Sequence, residues 1–365
     1  MKRMPRWLMI AVAGVTVAGA LVAAVPHLRA HAKAVPVLAE ATGMPAPRPL
    51  AADVEAATTS LDGVAGWLAA PAWEAPPVLL VPGATPDGLA DQRVRAVATA
   101  IARSGRTVFA PDLALYEWRL DAGDVDRIVH AARALQARTG QPVVMLGFSY
   151  GGSFALLAAA RLSGTVERVA TFGAYGDLAG VIQAATTGVA VVGDRRWAWE
   201  PDEMVDDVIE VFVRELAGDG VAAAVTAALD QRRDPDHLGA GARALYDLVD
   251  NDDPDRTAAL VAALPSEIQQ QLERFSPVTV ADDIAMPVQV LHSTDHPAVP
   301  YPEALRLAEA LPDARRSTVT LFSHVDPSRD DASWWQGIVD MTIAARFLGS
   351  ALAPGEPWVP ASLRR

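Results

Sequence analysis

The sequence contains no cysteine, and lysine occurs only at positions 2 and 33. The absence of cysteine excludes a disulfide framework, a thiolate nucleophile and cysteine ligands for a metal ion. The stretch from Gly83 to Gly88 has neither the G-x-G-x-x-G pattern nor the lysine of a P-loop. It therefore does not predict a nucleotide site.

Basic side chains are scarce beyond the first residues. Residues 1–33 hold five of the 31 lysine and arginine side chains and no acidic one, which leaves 26 basic against 44 acidic groups in the rest. A body with this excess of negative charge repels nucleic acid and anionic lipid. We expect neither to bind it.

One long uncharged run lies near the start of the chain. Lys2, Arg3 and Arg6 precede residues 8–26, about nineteen residues, close to the length of a membrane-spanning helix. The following Ala30-His31-Ala32 fits the small-x-small pattern of a signal-peptide cleavage site. Residues 1–32 are therefore predicted to be a membrane anchor or a cleaved signal peptide, with a buried core helix as the further alternative for the uncharged run. Both leading predictions export the rest of the chain, either anchored to the membrane or secreted.

Residues 33–58 are rich in alanine and proline, show no sustained period and are predicted to be a linker. A pair of strands is predicted around 56–60 and 64–68, with Asp62-Gly63 as the turn between them. No internal repeat is visible.

Buried apolar strands then alternate with amphipathic helices. Strands are predicted at 77–81, 107–110, 142–146, 166–172, 286–291 and 317–322, and helices between them at about 94–105, 124–139, 153–160, 301–311 and 334–348. This order predicts an α/β fold, a doubly wound, mostly parallel sheet that binds ligands at the carboxyl ends of its strands.

The alternation is interrupted from 178 to 278, where helices but no convincing strand are predicted. A hundred residues is too long for a loop, so we predict a helical cap over the strand ends. The sheet core would then comprise 59–177 and 279–350, followed by a tail at 351–365.

The motif Gly147-Phe148-Ser149-Tyr150-Gly151 joins the strand at 142–146 to an alanine-rich helix. A serine at such a turn occupies a strained backbone conformation, and glycine two residues before and after it avoids steric collisions. This setting is predicted to be a nucleophile elbow, with the Tyr150 backbone N–H directed at the developing oxyanion. The alternative is a structural serine in a glycine-rich turn.

A serine nucleophile needs a base and an acid that orients the base. Of the seven histidines, His324 follows the last strand on the same sheet edge as Ser149, whereas His292 is expected to be a core residue. Asp295 follows the preceding strand, which gives the order Ser, Asp, His. Asp177 is the rival acid and Asp326 a distant third.

These residues resemble an α/β-hydrolase of the serine esterase, lipase or peptidase kind. The resemblance rests on the elbow, on Val81-Pro82-Gly83-Ala84, on the turn from Leu291 to Pro300 and on Ser323-His324. It implies that Ser149 is the nucleophile, Asp295 the acid and His324 the base. It also implies that the backbone N–H groups of Tyr150 and Ala84 form the oxyanion hole. Many relatives have His-Gly where this chain has Pro82-Gly83.

Two further motifs favour structural interpretations. The acidic run from Asp250 to Asp255 lacks the central glycine and the final glutamate of a calcium loop, so an inter-helix turn is expected. Arg195-Arg196-Trp197-Ala198-Trp199 could bind a substrate carboxylate, but a packed tryptophan pair with surface arginines is the simpler interpretation.

The predicted function is an exported serine hydrolase that cleaves carboxylic esters of a small or lipid-like acyl substrate through an acyl-enzyme. No metal or organic cofactor is expected. Peptide, amide or thioester cleavage on the same residues stays open. A non-catalytic binding protein of the same fold is the alternative from another class.

Overall fold

The computed structural model describes residues 26–41, 53–85, 87–117, 119–201, 204–230, 235–320 and 334–353. The strands among these residues are β1 (Val54–Leu61), β2 (Val64–Pro71), β3 (Pro77–Val81), β4 (Thr107–Pro111), β5 (Val143–Phe148), β6 (Val166–Phe172), β7 (Val189–Val192), β8 (Arg195–Ala198), β9 (Val288–Ser293) and β10 (Ala314–Val319). Eight of them form one sheet, in the order β1-β2-β4-β3-β5-β6-β9-β10, and β7 pairs with β8.

The predicted α/β fold with a mostly parallel sheet is confirmed. All neighbours from β4 to β10 in the sheet pair in parallel, while β1 and β2 form an antiparallel hairpin that continues antiparallel to β4. Asp62 and Gly63 both have positive φ in the turn of that hairpin, as a two-residue turn of this twist requires.

The α-helices of the described residues are α1 (Pro26–Ala41), α2 (Gln92–Arg103), α3 (Ala122–Thr139), α4 (Tyr150–Ala159), α5 (Leu178–Thr187), α6 (Met204–Ala217), α7 (Asp219–Asp230), α8 (Ala240–Val249), α9 (Thr257–Ala263), α10 (Ser266–Arg274), α11 (Pro302–Ala310) and α12 (Trp334–Leu352). Helices α9 and α10 are separated at Pro265, because proline lacks the N–H that would continue the first helix.

The sheet is buried on both faces, as its continuous apolar strands predict. In β5, Val143 and Met145 pack on one face with residues of α3 and α4, whereas Val144 and Leu146 pack on the other with residues of α1, α2 and α12. Burial of each such side chain stabilises the fold by about 1.5–3 kcal/mol.

The chain before β1 differs from the expected linker. Residues 33–41 belong to α1, and Ala34 and Val37 are buried in the same apolar cluster as Leu348 of α12. Pro36 lies inside α1. A proline is unfavourable there, so packing against the body stabilises a helix that its sequence alone does not favour.

The predicted anchor or signal run lies outside the described residues except at its end, Pro26. Among the helices that the structure describes, none combines the length and apolar character needed to cross a membrane.

Residues 178–278, here called the insertion, follow β6 and end in a 3-10 helix at Pro277–Asp283, which leads into β9. They contain α5 to α10 and also the hairpin β7–β8, which corrects the prediction that this segment has no strand. Each of these strands has only four residues, and β8 begins with two exposed arginines. Neither strand is long enough to produce a clear alternating pattern.

Candidate active site

Ser149 lies between the end of β5 and the start of α4. Its backbone has φ +50° and ψ −134°, a conformation that glycine adopts readily and other residues do not. Among the described non-glycine residues, positive φ occurs only here and at Asp62 in the β1–β2 turn. Strain of this kind costs on the order of 1–3 kcal/mol and persists only where surrounding contacts enforce it. The residue as a whole is half-buried.

Two glycines make this turn possible. A Cβ on Gly151 would lie 2.0 Å from the carbonyl oxygen of Pro82, and one on Gly147 would lie 2.4 Å from the Cα of Gly152. Both neighbours are backbone atoms that cannot rotate away. The expectation that glycine is sterically required at both positions is therefore confirmed.

The strands after β5 bring later segments to the same sheet edge. The Ser149 N–H donates to the Phe172 carbonyl at 2.7 Å, and the Thr294 N–H donates to the Val319 carbonyl at 3.0 Å. The ends of β5, β6, β9 and β10 are thus aligned. Since neighbouring strands lie about 4.8 Å apart, the end of β9 is about 10 Å from Ser149.

The loop after β3 passes close to Ser149. A Cβ on Gly83 would lie 2.8 Å from the Cβ of Ser149, so Gly83 packs directly against the elbow. Ala84 is the next residue along the chain. Tyr150 is the first residue of α4, and its N–H has no acceptor within the helix. The positive end of the α4 dipole adds to the attraction for negative charge there.

Asp91 holds this loop in place. Its carboxylate accepts hydrogen bonds from the Thr85 hydroxyl, from the Arg93 backbone N–H at 2.7 Å and from the Arg93 guanidinium at 2.6 Å. The hydrogen bond from the Arg93 side chain, with help from Thr85, holds the pKa of Asp91 well below its usual range. Asp91 is therefore ionised at neutral pH and ties Thr85 to the start of α2.

A family model described as alpha/beta hydrolase fold matches residues 76–326. The chain belongs to the α/β hydrolase fold family. No curated relative matches its sequence. Among solved structures, this α/β hydrolase is similar to an acylaminoacyl peptidase at 13% identity and a TM-score of 0.49, with 85% of this chain covered. It spans only 43% of the length of that peptidase.

Two smaller enzymes show a similar degree of likeness. A 2-hydroxy-6-oxo-6-phenylhexa-2,4-dienoate hydrolase of a Rhodococcus species is 15% identical, with a TM-score of 0.44 and coverage of 80% of this chain and 98% of the other. An esterase domain of a Rhodothermus marinus protein is 17% identical, with a TM-score of 0.43 and coverage of 82% and 96%.

The structure places Asp295 just past the carboxyl end of β9, where it is exposed. The backbone turn around it is organised by the next residue. His296 is 2% exposed, and its Nδ1 accepts the backbone N–H groups of Ala298 at 3.2 Å and Val299 at 3.0 Å. These bonds require the tautomer with the proton on Nε2. Sequence reasoning did not single out His296, although aspartate or asparagine commonly organises such a turn.

The insertion of this α/β hydrolase contacts that turn directly. Trp199, 8% exposed, donates its indole N–H to the His296 carbonyl at 3.0 Å. The Arg306 guanidinium of α11 donates to the Val191 carbonyl of β7 at 2.7 Å. Strand β7 and the residue that follows β8 are thus joined to α11 and to the turn after β9.

The rival acid, Asp177, is engaged in structural contacts. It caps α5 by accepting the Ala179 backbone N–H at 3.2 Å, and the Ser276 hydroxyl donates to the same carboxylate oxygen at 3.2 Å. The Arg306 guanidinium lies 3.9 Å from its other oxygen. This arrangement favours a structural role for Asp177.

His324 and Asp326 lie outside the described residues, which break off after Thr320, one residue past β10, and resume at Trp334. His292, in contrast, is fully buried, as predicted for a core histidine. Its burial lowers its pKa to about 4, so it is neutral at pH 7.

The residues of the two weaker motifs make structural contacts. Asn251 is buried, and its side-chain amide donates hydrogen bonds to the Asp253 carbonyl and the Thr257 hydroxyl. The asparagine side chain therefore stabilises the turn between α8 and α9. Arg195 stacks on Trp197 at 4.7 Å, and Arg196 pairs with Asp255 at the surface. Within the described part of the chain, no group of three or more histidine, aspartate or glutamate side chains is arranged to hold a metal ion.

Proposed function

We propose that this α/β hydrolase is a serine hydrolase that cleaves carboxylic esters, with Ser149 as nucleophile, His324 as base and Asp295 as acid. The observation that carries the proposal is the backbone of Ser149, which is strained at φ +50° and enforced by Gly147 and Gly151. A serine that served only as a turn residue would gain nothing from this strain, because glycine would occupy the position at lower free energy.

The proposed reaction has two halves. The Ser149 oxygen attacks the ester carbonyl carbon while His324 accepts its proton, and the Tyr150 and Ala84 N–H groups bind the resulting oxyanion. Collapse breaks the bond to the alcohol, which leaves with the proton from His324. Water, deprotonated by His324, then attacks the acyl-enzyme, and the acid is released as Ser149 regains its proton.

Fluorophosphonate labelling and ester hydrolysis test the nucleophile. We expect the wild type to be labelled and Ser149→Ala to lose labelling and at least about three orders of magnitude of kcat. A folded wild-type protein that stays unlabelled beside a reactive control hydrolase would support a binding protein of this fold and overturn the proposal. Faster turnover of matched amide or thioester substrates than of esters would overturn the assignment to esters.

The two candidate acids give a second test. Asp295→Asn and His324→Ala should each reduce kcat by several orders of magnitude, because the base loses its orientation or is removed. Asp177→Asn should retain kcat, since its contacts hold α5 and Ser276. Full activity in Asp295→Asn together with loss in Asp177→Asn would show that Asp177 is the acid.

The compartment is proposed on the N-terminal sequence alone. The basic residues and the uncharged run at 8–26 support export, with the body either anchored to the membrane or secreted. Fractionation of the native host should recover the protein from membranes or medium. Recovery of the full-length chain from cytosol would contradict export.

A further inference from the structure

Two phenol hydroxyls beside the nucleophile have no hydrogen-bond partner among the described residues. They belong to Tyr150, which directly follows Ser149, and to Tyr175, three residues beyond the neighbouring strand β6. The residues are 4% and 0% exposed, and their ring centroids are 5.2 Å apart. The chain therefore places two buried, unsatisfied donors on the two segments that follow β5 and β6, the first of them directly after the proposed catalytic serine.

Such hydroxyls are unfavourable in a packing role. Burying a hydroxyl without a partner costs free energy that phenylalanine, with the same ring, would not cost. The same chain shows the usual solution at Tyr116, which is also buried but donates its hydroxyl to the Pro111 carbonyl at 2.7 Å. The lack of partners at Tyr150 and Tyr175 points to a ligand that supplies them.

The insertion contacts one of these tyrosines. The Phe212 ring of α6 meets the Tyr150 ring edge to face, with centroids 5.8 Å apart. Both phenol oxygens are closed off from solvent. For a ligand group to reach them, the Phe212 side chain would have to move away from Tyr150.

The charges around the pair select the chemistry of that ligand. Burial, with a smaller effect of the Glu303 carboxylate, raises the pKa of Tyr150 and Tyr175 well above the usual value, so both remain protonated donors at neutral pH. Directly after Tyr175, the Gly176 and Asp177 backbone N–H groups donate to the Glu303 carboxylate, and Glu303 and Asp177 both contact Arg306. Burial raises the pKa of Glu303, while Arg306 and these two N–H groups favour its ionised form. With two carboxyl groups against one guanidinium, a further carboxylate would be repelled.

We propose that the hydroxyls of Tyr150 and Tyr175 donate hydrogen bonds to an uncharged oxygen acceptor of the substrate, such as a keto oxygen, close to the scissile carbonyl. This inference rests on the proposed esterase function and narrows its substrate class to esters with a second, neutral polar group. The two tyrosines would act in specificity, because they recognise an oxygen that takes no part in bond breaking.

Matched esters test this inference. Nitrophenyl levulinate and nitrophenyl valerate have the same main-chain length and differ chiefly in a keto oxygen, while the hemisuccinate carries a carboxylate. We expect the wild type to prefer levulinate over valerate and to turn over the hemisuccinate poorly. Tyr175→Phe should lower the levulinate to valerate ratio of kcat/KM by about three- to tenfold, with valerate turnover retained, and Tyr150→Phe should lower the same ratio.

Tyr246→Phe of α8 is the matched control, since this ring packs at the edge of the core and lies partly exposed. It should leave the ratio unchanged. A thermal melt separates folding from specificity, because removal of an orphaned hydroxyl should maintain or raise the melting temperature of both variants.

The outcomes are distinguishable. An unchanged ratio in both phenylalanine variants, in a wild type that is active and labelled by fluorophosphonate, overturns this inference and leaves the proposed function standing. Preference for the hemisuccinate overturns the choice of a neutral acceptor. A wild type that is neither labelled nor active overturns the proposed function and this inference with it.

Discussion

At the scale of single residues, Ser149 shows the cost of placing a nucleophile at a tight turn. Its positive φ is a conformation that glycine adopts without strain. Ser149→Gly and Ser149→Ala should both be inactive, but the glycine variant should be more stable than the alanine variant by about 1 kcal/mol.

Denaturant unfolding of the two variants measures this difference, and their shared inactivity serves as the control. Equal free energies of unfolding would mean that the elbow relaxes in the free protein. The positive φ at position 149 would then cost the folded protein no measurable free energy.

His292 should produce a pH dependence of stability. The folded protein holds it neutral with a pKa of about 4, against 6.5 for an unburied histidine. Below pH 6.5, His292 binds a proton in the unfolded chain but stays neutral in the folded protein. The free energy of unfolding therefore falls as the pH decreases from 6.5 to 4. The loss over this window should be roughly 3 kcal/mol.

Urea unfolding between pH 7 and pH 4 measures this effect. His292→Leu removes the titrating ring, so stability should vary less across the window, whereas substitution of the exposed His130 by glutamine should preserve the dependence. An identical pH dependence in His292→Leu would assign the effect to another group.

At the scale of elements, the loop after β3 depends on Asp91 at the start of α2. Asp91→Ala removes the acceptor that ties Thr85 and releases the loop that carries Ala84. We expect kcat to fall about tenfold or more, because a displaced N–H stabilises the oxyanion less well. Steady-state kinetics on a simple ester measure the change.

Asp121→Ala is the matched control, because Asp121 caps α3 in the same way, through the Gly123 backbone N–H at 2.8 Å. Each variant should lose about 1 kcal/mol of stability as a lost helix cap. Equal kcat in the two variants would show that the Asp91 contact is structural only.

The elements also show what the sequence could predict. The elbow, the Asp62-Gly63 turn and the buried parallel strands were predictable because each has a local pattern: glycine spacing, a two-residue turn or an apolar run. The β7–β8 hairpin and α1 were not, because tertiary packing stabilises both. Strand β10 begins at Ala314 rather than at the predicted residue 317. Arg315 and Arg316 interrupt the apolar pattern by which a strand is recognised, and such charges are common on an edge strand.

Two positions in the candidate site were predictable on similar grounds. The place of Ser149 followed from its motif, and the position of Asp295 past β9 followed from strand order. The contacts of Trp199, His296 and Asp91 were not predictable, because they join segments that are distant in the chain or depend on loop geometry that no spacing reveals.

At the scale of the whole molecule, the insertion is joined to the sheet edge by Trp199. Trp199→Phe keeps a ring but leaves the His296 carbonyl without its donor. The turn that carries Asp295 should then be held less firmly, and kcat should fall about tenfold, in line with 1–2 kcal/mol of lost orientation.

Trp67→Phe provides the comparison, because the Trp67 indole N–H has no partner among the described residues. It should leave kcat near the wild-type value. Ester kinetics of both variants, with unfolding curves to confirm folding, decide the matter. Similar losses in the two variants would count against a link through Trp199.

Helix α1 bears on the order of folding and of any cleavage near residues 30–32. Residues 30–32, the small-x-small site, are helical, and the same helix continues into Ala34 and Val37 in the core. Proteases cut exposed, unstructured chain far more readily than a docked helix. If cleavage occurs at the predicted site, it would therefore have to precede the docking of α1.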